Sequence, residues 1–145
     1  MELRINANAE IALFLVKGKV GWDNSRILDT QIHKMIEQGC SHIVFNLDEV
    51  TFLCSGGIGA FIYNMKRVQE RGGDIYVVSN SEYIQYLFAT IGFNLIFQGR
   101  TFETFEAFSE KVLVPKGLSL NLFNAFTSVI NTEEHRNQEK SRSAA

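Results

Sequence analysis

A chain of 145 residues with 14 Lys and Arg against 16 Asp and Glu carries a formal net charge of -2, which supplies no general electrostatic pull towards nucleic acid or an anionic membrane. Its hydrophobic fraction of 46% and charged fraction of 21% exclude a disordered or fibrous chain and fit one domain with a real core. The opening Met1-Glu2-Leu3-Arg4-Ile5 lacks the basic and long apolar regions of a signal peptide, and no apolar run is long enough to span a bilayer, so a cytoplasmic protein is expected.

Residues 3–7 and 10–17 read as two strands around a turn at Asn8; both faces of the second are apolar, as in a strand covered on two sides. Gly18 and Gly21 break the pattern, and Trp22-Asp23-Asn24-Ser25 offers polar caps, Asp23 and Asn24 among them, for a helix over 24–38 that stops at Gly39. In that helix Ile27, Leu28, Ile32, Met35 and Ile36 share one face. A strand over 42–47 follows.

The stretch VFNLDEVTFLCSGGIGAFIYNM, residues 44–65, organises the rest. An apolar β-run (Ile43, Val44, Phe45, Leu47) passes an acidic turn at Asp48 and Glu49 and resumes at Val50, Phe52 and Leu53. After Cys54-Ser55-Gly56-Gly57 the apolar positions become Ile58, Phe61, Ile62, Met65 and Val68, the spacing of a helix face. Ser55 therefore stands at a helix entrance, where a serine oxygen can accept from a free backbone N–H and where an anion meets the positive end of the helix dipole. The helix ends at Arg71-Gly72-Gly73, then come a strand over 75–78, a helix over 82–90 stopped by Gly92, a short strand over 94–97, and a helix opened by Thr101 with Phe102, Phe105, Phe108 and Val112 inward.

Residues 114–117, Val-Pro-Lys-Gly, read as a connector. Beyond them Leu122, Phe123, Phe126, Val129 and Ile130 form the stripe of an amphipathic helix over 119–131, which either packs on its own domain or serves as a dimer or partner contact; 132–145 is a polar flexible tail. The division is thus 1–113 for the domain, 114–131 for connector and helix, and 132–145 for the tail. The order ββαβαβαβα implies an α/β architecture with parallel pairings.

Cys40 and Cys54 have no companions at metal spacing and read as reduced, partly buried thiols. His33, His42 and His135 have no assignable base role that would make Cys54 a nucleophile, and Gly56-Gly57-x-Gly59 lacks the Lys-Ser/Thr of a phosphate loop. Trp22 with Phe14 offers a stacking platform, set against a core lid or protein contact.

With the element order and the central segment in place, residues 3–112 resemble the STAS domain family, whose simple members are bacterial anti-sigma-factor antagonists. The family's Asp-Leu-Ser-like turn, apolar residues and Asp-Ser-Ser-Gly-Leu-Gly correspond to Asn46-Leu47-Asp48, Thr51-Phe52-Leu53 and Cys54-Ser55-Gly56-Gly57-Ile58-Gly59. Arg71-Gly72-Gly73-Asp74 resembles the family's Arg-x-x-Gly-Gly pattern, and Leu87-Phe88-Ala89-Thr90-Ile91-Gly92-Phe93 its helix running into a short strand. The fold implied is a STAS-like mixed sheet covered by helices, with the extra C-terminal helix added.

The resemblance implies a non-enzymatic regulatory module without cofactor or metal. Its partner would be an anti-sigma factor that is also a serine-protein kinase, and Ser55 would be the phosphorylated residue, in a contact formed by Asp23, Asn24, Cys54, Ser55, Gly56, Gly57 and Ile58. A phosphate adds about -1.5 to -2 charge on a surface that must close against a protein. The chain departs from the pattern where Cys54 replaces aspartate, Gly56 the second serine and Asn46 an acidic residue. The alternatives are a STAS scaffold or homo-oligomer that never cycles phosphate, with a homodimer through the C-terminal helix, and, behind it, a small-ligand binder or thiol enzyme; for Ser55 itself the alternative is a plain cap.

Overall fold

The computed structural model describes residues 1–120 and 128–132. Six strands form one sheet in the order β5-β4-β3-β2-β1-β6. β1 (Glu2–Ala7) and β2 (Ile11–Val20) are an antiparallel pair; β2, β3 (His42–Leu53), β4 (Asp74–Val78) and β5 (Thr101–Phe102) run parallel. The parallel pairings need crossovers, which α1 (Ser25–Glu37), α2 (Ser55–Gln69) and α3 (Glu82–Thr90) provide.

Alternation along the central strands sends side chains to two cores. One contains Phe14, Ile43, Phe45, Ile75 and Val77 with Leu28, Ile32, Phe61, Met65, Ile84 and Phe88 of the three helices. Phe45 is its hub, with ring centroids 5.0 Å from Phe14 and 4.4 Å from Phe61. The other face carries Ile11, Leu13, Val44, Tyr76 and Val78, covered by Phe108, Val112 and Leu113. Apolar residues on both faces of β2 are thereby accounted for.

Four local expectations are corrected. There is no acidic turn: β3 runs unbroken through Asp48 and Glu49, and takes an extra residue against β2 twice, between the pairs Leu15–Asn46 and Lys17–Glu49 and between Gly18–Val50 and Lys19–Phe52. These bulges carry the inward positions to Leu47, Val50 and Leu53 and leave the acids exposed. Residues expected as a strand at 94–97 instead form the one-turn helix α4 (Phe93–Ile96), because left-handed Gly92 (φ 77°) turns the chain and places Phe93 and Phe97 against Phe88, at 5.7 and 5.6 Å. The last parallel strand is Thr101–Phe102, and the next helix opens at Thr104, whose Oγ1 accepts from the Ala107 N–H at 3.1 Å. That helix, α5 (Phe105–Phe108), continues through a π-turn at Ser109–Leu113 and a last turn at Val114–Lys116, so the expected connector is helical up to Gly117.

Of the helix expected over 119–131, residues 121–127 lie outside the described residues, as does the tail from 133. Ser128–Asn131 is a strand, β6, antiparallel to β1, with Ile130 against the first core. Val129 and Ile130 are β-branched and β1 offers a free edge, so sheet pairing prevails over the helical spacing.

The Arg-Gly-Gly-Asp turn also has a physical account. Gly72 adopts φ 82°, and a side chain on Gly73 would collide with the Ser41 carbonyl. Arg71 donates to the Ile36 carbonyl at 2.8 Å, closing the end of α1, and Asp74 holds Arg100 at 2.7 Å.

Candidate functional site

Three segments converge at the C-terminal end of β3. The β2–α1 loop is held from inside by Asn24, whose Oδ1 accepts from the Gly21 N–H at 2.9 Å and whose Nδ2 donates to the Lys19 carbonyl at 3.0 Å. Asn24 occupies the capping position of α1 yet makes no capping bond, and it is buried. Closing the loop this way turns Trp22 outward, 75% exposed, with exposed Asp23 beside it. Trp22 is thus neither a core lid nor a partner of Phe14, which is fully buried.

The end of β3 is fixed twice: the Leu53 N–H donates to the Tyr83 hydroxyl at 3.0 Å, and the Cys54 N–H to the Val20 carbonyl at 2.9 Å. Cys54, not Ser55, is the capping residue of α2, and its carbonyl accepts from the Gly57 and Ile58 N–H groups at 3.1 and 3.2 Å. The expectation of a plain serine cap is therefore corrected. Ser55 is the first residue of the helix, exposed, and its hydroxyl has no hydrogen bond among the described residues.

The seven residues expected at the contact divide by depth. Asp23 and Ser55 are exposed and Gly56 half-buried, whereas Asn24, Cys54, Gly57 and Ile58 are buried and act as supports. A side chain on Gly57 would meet Leu53 Cδ1 at 2.8 Å and Val20 Cγ1 at 3.2 Å, in the core; one on Gly56 would meet Ser25 Oγ at 3.0 Å and the Trp22 ring at 3.3 Å, at the surface. The bare backbone of Gly56 is where the openings of α1 and α2 touch.

Below that point runs a groove of about 350 Å³ lined by Ser25, Arg26, Asp29, Gly56, Gly59, Ala60 and Tyr63. Tyr63 is 62% exposed on its wall. A polar seam fixes its width: buried Asn64 donates to Asp29 Oδ1 at 3.0 Å and to the Ala60 carbonyl at 2.8 Å, while Arg67 donates to Asn64 Oδ1 at 3.2 Å and touches His33, itself 3.4 Å from Asp29. Ser25 and Tyr63 were not legible as site residues. They come onto one groove with Gly56 only once two helices far apart in sequence pack together.

Shifted titrating groups lie at the other end of the sheet. Burial pushes the Cys40 thiol up; burial, then Lys116, pull His42 down; Tyr76, within 3.3 Å of His42, is pushed up to about 12 by burial, then by Asp74. Both cysteines are free and buried. Among the described residues no group of three or more His, Cys, Asp and Glu is placed to hold a metal, and no helix is long and apolar enough to cross a membrane.

The STAS domain family model matches residues 2–108. The chain belongs to the STAS domain family. Solved STAS folds superpose over most of it: the anti-sigma factor antagonist SpoIIAA in its unphosphorylated form, at 16% identity and TM-score 0.65, covers 81% of this chain and 98% of its own. The Bacillus cell fate determinant SpoIIAA in the phosphorylated form matches at 17% identity and TM-score 0.60, over 76% and 98% of the two chains. A sulfate transporter family protein from Wolinella succinogenes matches at 15% identity and TM-score 0.60, over 73% and 88%. At these identities the likeness establishes the shared STAS fold.

Proposed function

We propose that this STAS domain is a non-enzymatic, cytoplasmic regulatory module of the anti-sigma-factor-antagonist type, which docks an anti-sigma factor with serine-kinase activity on the surface around Ser55 and is released when that serine is phosphorylated. The observation that carries the reading is the position of Ser55: an exposed hydroxyl, without a hydrogen bond among the described residues, on the first residue of α2, supported by buried Cys54, Gly57 and Ile58. A kinase can reach such a hydroxyl without unfolding anything. The surrounding surface suits a protein partner, since Trp22 and Tyr63 are exposed aromatics of the kind that anchor interfaces and Gly56 and Gly59 leave room between them. A dianion placed at that position would face the partner across a closing, desolvating surface.

Fold neighbours agree with this reading without deciding it, because the same fold serves an anti-sigma factor antagonist and a sulfate transporter family protein. The scaffold alternative draws on one observation, buried Cys54 where the family pattern has an acid. A thiol enzyme gains nothing from that cysteine, which is buried at the opening of α2. Capture of partners by Ser55→Ala and Ser55→Asp proteins separates the readings. The switch expects the alanine variant to retain a kinase-fold partner and the aspartate variant to lose it; equal capture by both contradicts it.

A further inference from the structure

A cavity of about 310 Å³ opens at the carboxyl ends of β4 and β5, between that edge of the sheet and the helices α3 and α4. Parallel pairing sets its place. Val77 and Val78 of β4 take Thr101 and Phe102 of β5 as partners, so both strands end on the same side and the chain beyond them leaves the sheet. In open α/β sheets that is where small ligands enter, and the volume lies within the range of their pockets. Val77, Ile84 and Phe88 form the floor, each at most 3% exposed, and Phe88 is fixed in turn by the rings of Phe93 and Phe97 at 5.7 and 5.6 Å. A floor packed that way holds its shape.

The rim is chemically one-sided. Gln85, Asn94, Thr101 and Glu103 stand there exposed, and none of their side chains has a hydrogen bond or ion pair among the described residues. No lysine, arginine or histidine lines the cavity. Arg100, the cation adjacent in sequence, is held at 2.7 Å by Asp74, at the opposite end of β4. The one full charge on the lining is therefore the Glu103 carboxylate. A phosphate or carboxylate ligand would meet a like charge there and find no cation to offset it, whereas a protonated amine finds an ionic acceptor and neutral amide oxygens around it.

We propose that this cavity is a binding site for a small organic amine, whose apolar body lies against Phe88 and half-buried Phe102 and whose ammonium group is held at Glu103, with Gln85 and Asn94 orienting it. The site is separate from the surface around Ser55 and does not depend on how that serine is used.

The test is a nitrogen–proton NMR titration of the full chain near neutral pH with probes of similar size and different charge: phenethylamine, phenethyl alcohol and phenylacetate. Phenethylamine shifts the amides of Ile84–Phe88 and Thr101–Glu103 and saturates, with a Kd of about 1 mM for so small a molecule. The alcohol binds about threefold or more weakly, and phenylacetate more weakly still. Glu103→Gln brings the amine down to the affinity of the alcohol and leaves the alcohol unchanged. Glu103 has no ion pair to lose among the described residues, so the urea midpoint of the variant stays at the wild-type value and the lost affinity is read on a folded protein. Shifts at those amides that do not saturate, equal affinity for the three probes, or an amine affinity that Glu103→Gln leaves intact would each overturn the proposal.

Discussion

Two neighbouring glycines, Gly56 and Gly57, perform different tasks, and single substitutions distinguish them. Gly57 faces Leu53 and Val20, so Gly57→Ala overpacks the core and is expected to cost about 1–3 kcal/mol in chemical denaturation. Gly56→Ala presses only on Ser25 and the Trp22 ring at the surface; its denaturation midpoint shifts less than that of Gly57→Ala, and the loss appears in partner capture. Gly73→Ala is the severe case, about 3 kcal/mol or more, because the Ser41 carbonyl is backbone and cannot swing aside. At this scale Ser55 was legible from sequence alone, by the change of period around Cys54-Ser55-Gly56-Gly57. Its depth relative to its neighbours was not: Asn24 and Ile58 lie in the same stretches of chain and are buried.

Helix pairing sets the geometry that any partner meets. Asn64 is the only side chain among the described residues that hydrogen-bonds both Asp29 of α1 and the Ala60 carbonyl of its own helix, and it is fully buried between them. Asn64→Ala removes one of the two partners of Asp29 and frees the two helix openings to move. We expect a loss of about 1–3 kcal/mol, with faster amide hydrogen exchange confined first to residues 55–60. Elements with an uninterrupted period, α1, α2, α3 and β4, matched the sequence reading to within a few residues. Those read differently share a cause, since in each a tertiary contact overrode the local pattern: the two bulges against β2 hid the continuity of β3, the Phe88 ring drew Phe93 and Phe97 into a turn of helix, and the free edge of β1 took Ser128–Asn131 into the sheet.

Across the whole molecule the polar pair His42–Tyr76 makes stability depend on pH from the end of the sheet remote from Ser55. His42 has its pKa lowered in the fold, so the unfolded chain binds the proton more readily; its contribution is complete above about 6.5 and is lost as pH falls towards the folded value. Tyr76 behaves in the opposite sense. Pushed up to about 12, it stays neutral where an unfolded tyrosine ionises, so stability falls as pH rises from about 10 towards 12. Urea midpoints measured between pH 5 and 8 should slope upward with pH in the wild type and less in His42→Phe, with partner capture at pH 8 unaffected because the pair lies outside the proposed docking surface. Equal slopes would remove His42 from the account. Family membership, the parallel order of strands and the surface around Ser55 fit together at this scale, and the partner remains the point on which the function turns.

The most direct test is intact mass and site mapping of the protein purified from its native cells under resting and stressed growth. The account predicts phosphate on Ser55 in a fraction that changes with condition, and release of the partner from that fraction. An unmodified Ser55 in every condition, with the same partner bound throughout, would contradict it.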